Sequence, residues 1–185
     1  MQVVAKLLTL IFFLSPLAAQ ACMDPAWKSF RQHVGEARTI FIFQLESTEV
    51  RRTQLGSSAY TEWVHGRIRV VSPLKGDASG FRSVRFGTGG CDAIRLDTGH
   101  YFLAATRESG PELDPLAQGR SVIDLKYEYV EGAAPERREG PLLRSIRRHL
   151  SEGAPLPAEL PDANRRFWTD AFQPLPPPPK PSRQR

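Results

Sequence analysis

Cysteine and histidine are both scarce in this chain of 185 residues, and the motifs of several enzyme classes are missing. Only two cysteines occur, and neither has a histidine or a second cysteine at the spacing of a zinc site. The four histidines are scattered, without a His-Glu-x-x-His motif, and no Gly-x-Ser-x-Gly motif occurs. We therefore expect no catalytic residues, no metal, no cofactor and no enzyme activity. The histidines are His33, His65, His100 and His149.

The sequence also lacks an apolar run long enough to span a membrane. Its N-terminus places Lys6 before an apolar stretch, Leu7–Leu14, followed by a break at Pro16 and a small-x-small site that ends at Ala21. A membrane helix needs about 18 or more uninterrupted apolar residues, whereas this order is typical of a cleavable signal peptide. We predict that residues 1–21 are removed, and that the mature protein is periplasmic or secreted, with no transmembrane segment.

A strong excess of one charge is absent as well. The chain has 25 basic and 20 acidic residues, for a formal net charge of +5. The arginines are dispersed, and no motif brings basic and aromatic residues together as nucleic-acid binding requires. We therefore expect no nucleic-acid partner.

Composition divides the remaining chain into two parts. Residues 22–152 have the length and the hydrophobic patterning of one ordinary domain. From residue 153 to residue 185 the composition changes, with nine prolines between Pro155 and Pro181. Such a segment favours an extended, disordered tail. An alternative for its first part is docking on the domain through three aromatic residues, namely Phe167, Trp168 and Phe172.

Apolar alternation predicts five strands, and helical spacing predicts a short helix before them and another after them. No alternation of strand and helix suggests an α/β fold. We expect a mainly β protein, a small five-stranded OB-like β-barrel with a short N-terminal helix and a C-terminal helix. The predicted strands are Thr39–Ser47, a strand from Tyr60 to a break at 72–77, Phe81–Phe86, Tyr101–Thr106 and Ser121–Val130, and the predicted helices are Pro25–Val34 and Pro141–Leu150.

The second predicted strand has a polar face that is a candidate binding surface. Its apolar face contains Val64, Gly66, Ile68 and Val70, and its opposite face contains Trp63, His65, Arg67 and Arg69. OB barrels hold their ligands on such a strand face, so Trp63, His65 and Arg67 are candidate binding residues. An ordinary solvated outer face is an equally good interpretation of the same pattern. Gly66, in the middle of the strand, suggests a strong bend.

Five features in order along the chain resemble the netrin-like domain. A cysteine exposed by signal cleavage is followed by a strand, a Lys-Gly turn, a Gly-Cys pair and a Gly-x-Tyr-x-Leu step. They are Cys22, 37–43, 70–76, Gly90-Cys91 and 99–105. This family includes the tissue inhibitors of metalloproteinases and secreted bacterial relatives, and its fold is an OB-type barrel. The resemblance covers roughly Cys22 to Val130.

The resemblance implies a protein partner, and within the inhibitor branch a zinc protease. There the α-amine and carbonyl of the first cysteine chelate the protease's zinc, so Cys22 would do so here, with Met23, Asp24 and the turn at 88–91 as the contact ridge. We expect a binding module that acts as a monomer. The alternative is a non-catalytic structural or interaction protein of the cell envelope.

The two cysteines have alternative uses. In an oxidising compartment the pair Cys22 and Cys91 most simply forms one disulfide bond. It would close a loop of about 70 residues and stabilise the fold by up to ~4 kcal/mol. Such a bond would hold the N-terminus on the domain. A lipid attached to Cys22 is the second possibility, which would leave Cys91 as a free thiol.

Overall fold

The computed structural model describes residues 28–54, 56–57, 60–87, 94–115, 121–158 and 160. The predicted signal peptide, the residues Cys22 to Asp24, Cys91 and the chain from 161 onward lie outside this part. Cleavage, the disulfide bond and the tail therefore stay predictions. In the part of the chain that is described, no helix is both long and apolar enough to cross a membrane.

Six strands and three helices make up the described fold. The strands are β1 Thr39–Gln54, β2 Tyr60–Lys75, β3 Ser83–Phe86, β4 Tyr101–Thr106, β5 Glu112–Leu113 and β6 Val122–Asp124. The helices are α1 Phe30–Glu36, α2 Pro135–Arg138 and α3 Pro141–Glu152.

The strands form one mixed sheet in the order β5-β3-β2-β1-β4-β6. All neighbours are antiparallel except β3 and β5, which run parallel. The expectation of a mainly β protein with a helix near each end is confirmed. The expectation of a five-stranded closed barrel is not, because the sheet has six strands and its end strands, β5 and β6, do not pair with each other in the described chain. The terminal helices cover one face of this sheet, which in a closed barrel would be covered by the opposite strands.

The first strand is buried on both faces, as its continuous apolar run predicts. Ile40 and Ile42 pack against α1 and α3 on one face. Phe41, Phe43 and Leu45 belong to a second cluster on the other face, with residues of β2, β3 and β4. Beyond Leu45 the strand is exposed, so the long β1–β2 hairpin extends out of the two-sided core.

The C-terminal helix begins where the sequence pattern predicts, with Pro141 in its first turn. The carboxylate of Glu128 accepts hydrogen bonds from the free amides of Leu142 (2.9 Å) and Leu143 (3.3 Å). An acceptor at this end satisfies helix amides that have no partner inside the helix. The helix ends at Gly153, whose φ of 70° suits a residue without a Cβ.

The chain remains packed beyond the predicted domain end at 152. Leu156 is buried in the cluster beneath the helices. The Arg31 guanidinium in α1 donates to the carbonyl oxygens of Leu156 (3.2 Å) and Pro157 (2.5 Å). The two terminal helices are therefore tied together through this segment.

The fifth predicted strand, Ser121–Val130, is wrong in its second half. The strand ends at Asp124. The Asp124 carboxylate accepts a hydrogen bond from the backbone amide of Lys126 at 2.8 Å, and a turn begins there. Tyr127, which the alternation places on the buried face, is 82% exposed as a result. Leu125 and Tyr129 are buried as expected, but through the turn rather than through a strand.

Candidate binding site

The polar face of β2 is arranged as the alternation predicts. Val64, Gly66 and Ile68 point into the core. On the other face Arg67 and Arg69 are exposed, and Trp63 and His65 are half-buried. The sequence pattern thus placed the four candidate side chains on the same surface.

An extra residue in β1 brings a carboxylate onto this surface. The β1–β2 register passes from Leu45 opposite Ile68 to Ser47 opposite Arg67, so Glu46 is the extra residue of a β-bulge. Its carboxylate lies 3.0 Å from Nε of Arg67 and 3.6 Å from Nε of Arg69. Such a bulge follows from strand register and has no signal in the sequence.

Arg69 is held in a network that crosses the sheet. Its guanidinium donates to both carboxylate oxygens of Glu131, at 2.9 and 2.7 Å, and to Oε1 of Gln44 at 2.7 Å. The Tyr101 hydroxyl donates to the same carboxylate at 2.8 Å. These bonds lower the pKa of Glu131 to about 2, with the Arg69 bonds the main cause. Burial, and then the bond to Glu131, raise the pKa of Tyr101. Arg69 therefore serves mainly to join β2 to the segment after β6.

This network predicts a loss of stability in acid. The pKa of Glu131 is about 2 in the folded protein, below its usual value of 4.5, so the unfolded chain takes up a proton first as the pH falls. The stabilisation is complete above about pH 5 and is lost between about pH 4.5 and pH 2. Urea unfolding of the parent and of Glu131→Gln should show a stability difference at pH 6 that shrinks toward pH 2. A difference that does not change with pH would contradict this assignment.

The other two candidate residues, His65 and Trp63, each have a charged neighbour. Nδ1 of His65 lies 3.5 Å from Oε2 of Glu112 on the edge strand β5. Trp63 lies opposite Arg51 in the hairpin register. Arg67, whose side chain is 72% exposed, is the most accessible cation of the predicted set.

Beside this face, a cleft of about 640 Å³ opens at the edge of β2. It exists because β3 pairs with β2 only from Val64 to Arg67, and the chain between β2 and β3 turns away before it returns. Most of its walls are apolar, and its charged residues are three arginines and two carboxylates, Glu46 and Asp77. The lining residues are Glu46, Arg67, Ile68, Arg69, Val70, Pro73, Gly76, Asp77, Ala78, Ser79, Phe81 and Arg82.

Arg82 is held at the cleft by its backbone. Its amide donates to the Pro111 carbonyl at 2.8 Å, and its carbonyl accepts the Ile68 amide at 2.9 Å. Its guanidinium donates to the carbonyl oxygens of Ser79 and, at 2.7 Å, Phe81. Within the described chain it forms no salt bridge with a carboxylate, unlike Arg67 and Arg69, so its charge is available to an anionic ligand.

A second, smaller cleft of about 310 Å³ adjoins the first. Arg67 and Arg82 line both clefts, so these two arginines stand between them. The smaller cleft is more polar and contains Ser47, Thr48, Glu49, Arg51, His65, Gly66, Ser83 and Glu112 as well. Together the two clefts form a groove along β2, with Arg67 and Arg82 near its middle.

The sequence interpretation found Arg67 and missed Arg82. The sequence of residues 72–77 predicts a break in the strand. A turn does occur at Gly76, but two features of this region were not predicted. The strand continues through Pro73 to Lys75 because it stays paired with β1. Arg82 reaches the cleft only through the return of the chain to β3, which no local pattern reports.

The remaining sequence candidates are not brought together. The four histidines lie on α1, on β2, just before β4 and on α3. Among the described residues, no group of three or more histidine, cysteine, aspartate or glutamate side chains is placed to hold a metal ion. Cys22, Met23, Asp24 and Cys91 fall outside the described residues.

Comparison with known proteins adds no identity. No protein-family model matches the chain, and no curated protein matches it.

Proposed function

We propose that this chain is an exported, non-catalytic binding module that holds a segment of a partner protein in the cleft beside β2. The observation that carries the proposal is the cleft itself, which has about 640 Å³ of space, apolar walls and arginine side chains. Ligand sites in proteins are typically concave and mostly apolar, with a few polar groups that orient the ligand. The N-terminal pattern and the netrin-like resemblance support export and a protein partner.

The lining favours a ligand with an apolar group next to a carboxylate. The accessible apolar lining includes Pro73, which is exposed, and Val70, which is half-buried. The Arg82 guanidinium, with no carboxylate partner among the described residues, offers a charge-assisted hydrogen bond. A short peptide segment ending in, or containing, such a pair of groups fits both features.

A zinc protease remains the partner that the resemblance supports. In that case Cys22, Met23 and Asp24 would contact the catalytic site, and the cleft would be a second point of contact. The proposal for the cleft does not depend on this identification.

The experiment uses N-acetyl-leucine, a small carboxylate with an apolar side chain, as the probe. Titration followed by NMR should shift the amide signals of residues around the cleft, such as Val70, Ala78 and Ser79. Arg82→Gln should weaken binding about tenfold or more, because a hydrogen bond to a charged group contributes about 1.5–3 kcal/mol. Arg148→Gln is the matched control, since Arg148 is an exposed arginine on α3 and should leave binding unchanged. Shifts confined to another surface, or equal effects of both variants, would contradict the proposal.

A further inference from the structure

The projecting part of the hairpin has an open edge. On the side of β1 away from β2, β4 pairs only with Thr39 to Gln44, and the Leu45 amide bonds the His100 carbonyl. From Ser47 to Gln54 no strand of the described chain pairs with that edge, and every residue of this stretch is exposed. An unpaired strand edge of this length is a template for pairing with another strand.

The backbone of this edge is oriented for pairing. The Ile68 amide donates to the Arg82 carbonyl on the β3 side, so the backbone groups of Gly66 and Val64, two and four residues earlier, point to that side as well. Val50 lies opposite Val64 in the register. In an antiparallel pair, two opposed residues either hydrogen-bond each other or both direct their N–H and C=O groups away from the neighbouring strand. The N–H and C=O of Val50 therefore point to the open edge.

The side chains on this edge complement a second copy of themselves. If two copies pair antiparallel with Val50 at the two-fold axis, Glu49 of one chain lies opposite Arg51 of the other, and this occurs twice. Moving the axis to Glu49, Arg51 or Arg52 would instead place two like charges opposite each other. Opposite charges across an antiparallel pair are stabilising and like charges are destabilising. The sequence therefore favours one register.

An exposed apolar residue lies at the centre of this register. Val50 is 61% exposed, and its neighbour across the hairpin is Val64, which is buried. In the paired register the two Val50 side chains would contact each other next to Val64 of each chain. The Glu49 and Arg51 side chains are 66% and 57% exposed and form a pair within one chain, 3.2 Å apart. Both are free to turn toward a partner strand.

We propose that two copies of this protein associate through the β1 edges of their hairpins, in an antiparallel, two-fold symmetric register centred on Val50. The sheet would then continue from one copy into the next, and the isologous contact would close on itself as a dimer rather than propagate. This replaces the expectation of a monomer. The larger cleft, where N-acetyl-leucine is tested, contains no residue from Ser47 to Gln54 and stays accessible in such a dimer, whereas the smaller cleft includes Glu49 and Arg51 of the contact.

Sedimentation equilibrium of the purified protein tests the proposal. The sample keeps the N-terminus that the producing cell leaves on the protein. The parent should show a reversible monomer–dimer equilibrium. Val50→Lys should weaken dimerisation about tenfold or more, since it places two lysines at the axis. The matched control is Val130→Lys, because Val130 is also exposed, at 55%, but lies away from the edge. It should leave the equilibrium unchanged.

A charge exchange tests the register itself. Glu49→Arg and Arg51→Glu should each weaken the dimer, because each places like charges opposite one another. The double variant carrying both changes restores opposite charges and should restore dimerisation. All these residues are exposed, so thermal unfolding should show folded variants. A strictly monomeric parent at millimolar concentration, or a dimer that none of these changes affects, would overturn the proposal. Neither result would bear on N-acetyl-leucine binding at the cleft.

Discussion

Phe43→Ala is expected to lower the free energy of unfolding by about 3–5 kcal/mol, the range for removal of a fully buried aromatic ring. Phe43 has no exposed surface. Its ring lies 5.5 Å from that of Phe102, in a stacked arrangement, and 5.9 Å from that of Phe41. The substitution therefore removes buried apolar area and two aromatic contacts, and leaves a cavity in the centre of the sheet.

Urea unfolding measures this effect, with Tyr127→Ala as the control. Tyr127 is also aromatic but is 82% exposed, so its removal should change stability by no more than about 0.5 kcal/mol. Two variants with equal midpoints would mean that the cluster around Phe43 does not stabilise the fold as described. A lower slope for Phe43→Ala would instead indicate a changed compactness of the native or the denatured state, or unfolding that is no longer two-state.

The local elements of this fold were accessible from the sequence because their signals are local. The strand Tyr101–Thr106 has the predicted bounds, since a short apolar run between Gly99 and a polar segment has few other solutions. The helix that starts at Pro141 follows from the spacing of Leu143 and Ile146, both buried as expected. The polar and apolar faces of β2 follow from simple alternation.

The features that required the structure depend on contacts distant in sequence. The turn after Asp124 depends on a side-chain bond to a backbone amide, which competes with an otherwise regular alternation. The two-residue strand β5 is a strand only through its parallel pairing with β3. The open sheet arises because helices from both ends of the domain cover one face, so strand closure is not needed to bury it.

The candidate site likewise contains residues that the sequence predicted and residues that only the structure reveals. Arg67 was predictable because it follows a period of two along one strand. Arg82 and Glu46 were not, because one depends on the path of the chain after Gly76 and the other on a bulge in β1. Sequence alternation therefore identifies the surface but not the groups that distinguish a groove from a solvated face.

Gly66→Ala is expected to destabilise the protein by about 1–3 kcal/mol, the usual cost of forcing extra volume into a packed core. A Cβ at Gly66 would lie 2.5 Å from Cδ1 of Leu45 and 2.9 Å from Cγ1 of Val84. Both neighbours are fully buried, so neither can move away into solvent. The close approach of β1 and β3 on either side of β2 is thus a reason for glycine at this position that the sequence did not reveal, while the predicted bend stays a prediction.

Gly35→Ala provides the matched comparison for this effect. Gly35 lies inside α1, and a Cβ built there meets no atom within 4 Å. Because alanine has a higher helix propensity than glycine, this change should be neutral or stabilising by up to about 1 kcal/mol. Gly66→Ala should therefore lower the urea midpoint, whereas Gly35→Ala should leave it unchanged or raise it. Equal shifts would mean that the space around Gly66 is not filled by Leu45 and Val84, and the tight contact between the three central strands would have to be abandoned.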